Sequence, residues 1–164
     1  AIGGHLSPSA GPCDRKAVDQ RSDVAVFSSA PLQASLQLCG RPILRLKVSA
    51  DQPSFDLCAA LSRLPADRDE VQQLSTGVLR IRRTMDSESS QITLELQPLL
   101  VSFQPGDQLR LSLAGASWPA IGVNPGDGEQ RFGPPNSDCR VITLCLQLEE
   151  ATLQMAPLLV PQAG

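Results

Sequence analysis

The stretch LLVSFQPGDQLRLSLAGASWP, residues 99–119, decides the fold. Leu109, Leu111 and Leu113 alternate with Arg110 and Ser112, the period of a strand with one buried and one solvated face. Pro105-Gly106-Asp107 ahead of it is a tight turn. The stretch ends differently: Gly115-Ala116-Ser117-Trp118 begins the G-x-S-x-G pattern of a nucleophilic serine, then puts Pro119 where the last glycine belongs. That pattern needs a strand-to-helix elbow, whereas a proline and a long loop follow here. A serine at the end of a strand is the simpler reading.

The same alternation runs through the chain. Leu44, Leu46 and Val48 oppose Arg45 and Lys47; Phe55, Leu57, Ala59 and Leu61 share a face; Ile92, Leu94 and Leu96 oppose Thr93, Glu95 and Gln97. Ile142, Leu144, Leu146 and Leu148 are placed inward, Thr143 and Gln147 outward. Weaker strands are read at DVAVFSS, SLQLCG, GVLRIRR and QMAPLLV, with Gly and Pro turns between them. ADRDEVQQL could make two helical turns, but a long connection between strands is preferred. Many short strands with one polar face predict an all-β antiparallel sandwich. The register places Leu94, Leu111 and Leu144 inside, and Thr93, Arg110 and Thr143 outside. Residues 1–20 lack alternation and read as an extended lead-in to a single domain over 21–164. Residues 116–138 form a connection too long to be ordinary, a length that tends to mark function.

At 164 residues the chain can bury one core. Its 41% hydrophobic and 19% charged residues are those of a globular domain. A net charge of −3 leaves no basic footprint for nucleic acid. Arg80, Arg82 and Arg83 are read as a solvated strand surface, and Asp67, Asp69 and Glu70 as a solvated loop. No apolar run approaches the ~20 residues that cross a bilayer, and no signal-peptide hydrophobic region opens the sequence. Five cysteines without C-x-x-C spacing suit buried thiols in the cytoplasm. On a regular strand Cys139 and Cys145 would stand roughly 20 Å apart, too far to bridge.

Catalytic chemistry is mostly missing. A serine or cysteine nucleophile needs an imidazole partner, and the only histidine is His5, in the lead-in. No catalytic residue is therefore assigned, and the chain alone is expected not to hydrolyse esters or amides. One histidine and scattered cysteines also argue against a zinc site. Asn124, Asp127 and Glu129 could offer oxygens to calcium, but Asn-Pro-Gly-Asp-Gly reads more simply as two consecutive turns. No metal or cofactor is assigned. Aromatics make up 3% of the chain and tyrosine is absent, which argues against a sugar-binding surface, a single platform at Trp118 or Phe132 aside.

The ordered string DVAVFSSAPL, GRPILRLKVSAD, FDLCAALSRL, LSTGVLRIRRT, LELQPLLVSFQPGDQLRLSLAGASWP and NPGDG resembles one family. It is similar to the C-terminal domain of the X-Pro dipeptidyl-peptidase and cocaine-esterase-like (CocE/NonD) serine hydrolases, over about residues 11–160. The resemblance implies a jelly-roll β-sandwich, similar to galactose-binding-like folds. It also implies an accessory domain that packs on an α/β-hydrolase domain carrying the serine, aspartate and histidine. The domain would help wall a pocket for a small peptide or ester substrate, with Trp118, Asn124 and Phe132 as pocket or domain-interface candidates. The family usually has an aromatic-Pro-Arg before its Asn-Pro turn. Here Trp118-Pro119-Ala120 lacks the arginine, so that residue's role does not carry over. The rival reading is a free-standing carbohydrate- or calcium-binding sandwich module.

Overall fold

Alternation in RPILRLKVSA builds the centre of one sheet: Leu44, Leu46 and Val48 are buried on β3 (Ile43–Ala50), while Arg45 and Lys47 face out. The structure is a computed structural model that describes residues 13–82, 89–118, 120–129 and 133–157. Along it lie α1 (Lys16–Asp19), β1 (Val24–Ser28), β2 (Leu36–Gly40), β4 (Ser54–Leu64), β5 (Gln72–Arg82), β6 (Ser90–Glu95), β7 (Leu99–Phe103), β8 (Gln108–Ala114) and β9 (Leu144–Gln154). One sheet has the order β1-β8-β4-β5, a second β6-β3-β9, and β2 pairs with β7. Every strand pairing is antiparallel. His5, Arg83, Pro119 and Phe132 lie outside the described residues.

The two larger sheets face each other as a β-sandwich. Leu44, Leu46 and Val48 of β3 with Ile92 and Leu94 of β6 join Phe55, Leu57, Ala59 and Leu61 of β4 and Leu113 of β8 in one core. Each fully buried Leu or Phe contributes about 1.5–3 kcal/mol through area removed from water. Gly77 of β5 closes one corner, because a Cβ there would sit 2.7 Å from the Glu95 carbonyl oxygen. The Pro-Gly-Asp turn forms as expected, with Gly106 at φ +88°. Asp107 holds it from inside, its carboxylate accepting the Gln104 N–H at 2.9 Å and the Ala66 N–H at 3.0 Å.

Three expectations of the alternation are corrected. First, β4 is buried on both faces, with Asp56, Cys58, Ala60 and Ser62 covered as well as the apolar set. Second, Arg110 points outward yet is not left to solvent. Its guanidinium lies 3.6 Å from the Asp19 carboxylate and donates to the Ser28 hydroxyl at 3.0 Å. Arg110 is covered because residues 13–19 lie over its part of the sheet, and Asp56 because Arg80 and the loop after β8 reach it. Arg15 bridges Asp19 and Gln73, the Gln73 N–H donates to the Cys13 carbonyl, and the Val71 N–H donates to the Asp14 carboxylate. The described part of the expected lead-in thus carries a helical turn and is tied to β5.

Third, Leu148 is 50% exposed. Lys47 pairs with Gln147 but Arg45 pairs with Thr152, so β9 carries surplus residues between these pairs. The irregularity flips the strand's parity. Leu144 and Leu146 pack on the core before it, Ala151 and Leu153 after it. Elsewhere Leu94 is buried, Leu111 and Leu144 are half-buried, and Thr93 and Thr143 are exposed. Residues 65–71 make turns rather than a helix, with Asp67 and Asp69 exposed. No helix among the described residues is long and apolar enough to cross a membrane.

All five cysteines are free thiols. Burial on the outer face of β4 pushes the Cys58 thiol from 9.0 up to about 12. A raised thiol pKa means that the unfolded chain loses this proton first. The contribution to stability is therefore present below about pH 9 and declines as pH rises through about 9 to 12. At pH 8 the exposed Cys39 and Cys145 are expected to react with Ellman's reagent in the native protein, and Cys58 only after denaturant is added. Peptide mapping by mass spectrometry checks this; native labelling of Cys58 would show that the covered face opens.

Candidate functional site

After Ala114 the chain leaves β8, and the next strand among the described residues begins at Leu144. Ser117 begins a turn, its carbonyl accepting the Ile121 N–H at 3.0 Å. This is not the strand-to-helix elbow of a nucleophile. The G-x-S fragment is the start of a loop.

That loop is held by a buried polar clasp. Asp56 and Arg80 are cross-strand neighbours on β4 and β5. Arg80 Nε donates to Asp56 Oδ1 and Nη2 to Oδ2, both at 2.7 Å, and Nη2 also donates to the Gly122 carbonyl at 2.7 Å. Their side chains are 3% and 21% exposed, Asp56 and Arg80 respectively. The hydrogen-bonded carboxylate raises the guanidinium's pKa above its ordinary value, against the opposing effect of burial. Arg80 is thus an internal partner and not part of a solvated surface, which corrects the sequence reading.

Asn124 completes the clasp. It is 5% exposed. Its Nδ2 donates to Asp56 Oδ1 at 2.9 Å, and its Oδ1 accepts the Ser54 hydroxyl at 2.9 Å and the Gly126 N–H at 3.0 Å. Ser54 Oγ in turn accepts the Gly128 N–H at 3.1 Å. Gly126 and Gly128 take φ of +81° and +85°, the left-handed values that favour glycine in turns. The Asp127 carboxylate accepts the Glu129 N–H at 2.9 Å. The segment is the pair of turns expected, with Asn124 Oδ1 occupied by protein donors. Among the described residues no group of three or more His, Cys, Asp or Glu could hold a metal ion.

Further ties bind the loop to itself and to the sandwich. The Val123 N–H donates to the Gly133 carbonyl and the Arg140 N–H to the Pro125 carbonyl, each at 3.0 Å. At the far end the Thr143 N–H donates to Asp51 Oδ1 at 2.9 Å, which holds that carboxyl below the usual carboxylate range. Between the loop and the sheets opens a cleft of about 600 Å³, walled by Val24, Leu57, Leu113, Val123, Ile142 and Leu144 among others. On the same loop Trp118 is 48% and Val141 87% exposed. Of the three candidates, then, the structure puts Trp118 on the surface and Asn124 inside. Ser54, Asp56 and Arg80 escaped the sequence reading. The available signal was Asp56, a charge set inside the apolar run from Phe55 to Leu61, since a buried charge requires a partner.

The model of the X-Pro dipeptidyl-peptidase C-terminal non-catalytic domain matches residues 6–154. No match is found among curated proteins. Among solved structures, the chain is similar to an aminopeptidase from the marine sediment archaeon Thaumarchaeota archaeon, with TM-score 0.78 and 19% identity over 88% of this chain and 27% of that one. An alpha-amino acid ester hydrolase gives the same values, TM-score 0.78 and 19% identity over 88% and 27%. A CocE/NonD family hydrolase from Staphylococcus aureus follows at TM-score 0.59 and 18% identity, over 82% and 30%. At such identities the likeness shows the fold, and the chain spans less than a third of the length of these structures. With a β-sandwich, a turn rather than a nucleophile elbow at Ser117 and a family match over most of its length, the chain belongs to the X-Pro dipeptidyl-peptidase C-terminal non-catalytic domain family.

Proposed function

We propose that this domain serves a serine hydrolase acting on X-Pro peptides or small esters, docks on its α/β-hydrolase domain through the 116–143 loop, and helps wall the substrate pocket. The observation that carries the reading is Trp118, half-exposed on a loop otherwise fastened down by buried hydrogen bonds. A large aromatic presented on a rigid support is what interface anchors are made of. Val141, exposed on the same loop, lines the cleft between the loop and the sheets. Five free thiols support a reducing location, the cytoplasm.

In a hydrolase carrying this domain, Trp118→Ala is expected to lower kcat/KM by about tenfold or more, while the melting temperature of the domain alone stays nearly unchanged. Steady-state kinetics with an X-Pro p-nitroanilide and with p-nitrophenyl acetate, beside thermal melts, check both halves. If the domain unfolds and the kinetics survive, Trp118 is a structural plug and the reading fails. Saturable binding of calcium or a glycan by the domain alone would favour a free-standing module instead.

A further inference from the structure

We propose that Asn124 is a positioning residue that presets the 116–143 loop for docking. This inference rests on the docking role proposed above. Asn124 acts from inside the domain: it is buried, and its amide bonds Asp56, Ser54 and Gly126. Its position explains its use. Gly122, Asn124, Gly126 and Gly128 are points where the loop is hydrogen-bonded to the Ser54–Asp56–Arg80 group or to Asn124 itself. Trp118 stands on the arm before these points and Val141 on the arm after them. The two arms are tied across, residue 123 to 133 and 125 to 140. Packing also holds the turn, since a Cβ at Gly126 would lie 3.2 Å from the Ile142 side chain.

A loop this long loses much conformational freedom when it is ordered. If that order exists before docking, association does not have to supply it. Asn124 is the member best suited to a test, because its removal leaves the buried Asp56–Arg80 pair intact. Asn124→Ala should speed hydrogen exchange at the Gly126 amide by about tenfold or more, while amides of β3 and β4 exchange as before. In the hydrolase carrying the domain, the same variant should lower kcat/KM by about tenfold.

A double-mutant cycle with Trp118→Ala separates positioning from general destabilisation. Once the loop is loose the anchor is no longer presented, so Trp118→Ala should cost markedly less in the Asn124→Ala background than in the native one. Ser54→Ala, which frees the Gly128 N–H, is the second variant should the first fold poorly, and the same cycle applies to it. Unchanged exchange at the turn overturns the proposal, as do strictly additive kinetic effects. An effect of Trp118→Ala without one from Asn124→Ala overturns the positioning role alone. An effect of neither overturns the docking reading itself.

Discussion

Arg80→Ala is expected to lower the unfolding free energy by about 3–5 kcal/mol, because it leaves the Asp56 carboxylate buried without its cation. The loss comes from the stranded charge more than from the missing ion pair. Asp56 would keep the Asn124 amide as a donor but lose two charge-assisted hydrogen bonds at 2.7 Å. The Gly122 carbonyl would lose its donor as well. The double variant Asp56→Ala/Arg80→Ala should therefore be more stable than Arg80→Ala alone, since it removes the charge that needs a partner. Urea melts of the wild type, both single variants and the double variant make the cycle. A loss of about 0–1 kcal/mol for Arg80→Ala, the range of an exposed pair, would mean that water reaches Asp56 and that the clasp is a surface feature.

Phe55→Ala should cost about 3–5 kcal/mol, the transfer free energy of the ring plus the cavity left in a core that collapses only partly. Phe55 is fully buried, opposite Ile81 on β5 and among the leucines of β3, β4 and β6. The informative companion is Leu148→Ala, expected within about ±0.5 kcal/mol because that side chain stands outside the flipped register of β9. Were strict alternation to continue from Leu146, Leu148 would be core, and its loss would cost about 2–5 kcal/mol. Denaturant melts of the two variants side by side test the irregularity directly. Comparable large losses would place Leu148 in the core and remove the parity flip.

If both predictions hold, the domain is a stiff support whose one long loop is fixed from beneath. That matches a family defined by non-catalytic domains, because a support is useful only if what it presents stays in place.

The sequence by itself determined most of the strands, though not β7, and the main turns between them. Met155 and Ala156 of the expected QMAPLLV strand lie in no strand, and residues 158–160 lie outside the described residues. Period-two patterning such as Leu44-Leu46-Val48 and Ile92-Leu94 is local, so burial of one face follows from it without knowing the partner sheet. The Pro-Gly-Asp and Asn-Pro-Gly-Asp-Gly turns are local too, since the glycine φ values they need are written in residue type. The absence of any histidine from residue 6 onward likewise points away from a serine nucleophile. Tertiary structure alone decided the pairing of residues far apart in the chain. Arg80 and Arg110 looked solvated because alternation records only which side of a strand a residue takes, not what later covers that side. Asp56, Gly122 and Asn124 cover the first and Asp19 the second. Leu148 turned outward for a related reason: parity holds only while the ladder is regular, and the surplus residues in β9 are fixed by its pairing with β3. Asn124 was legible as a turn residue, but its burial was not, because an amide's surroundings depend on Ser54 and Asp56, about 70 residues away along the chain.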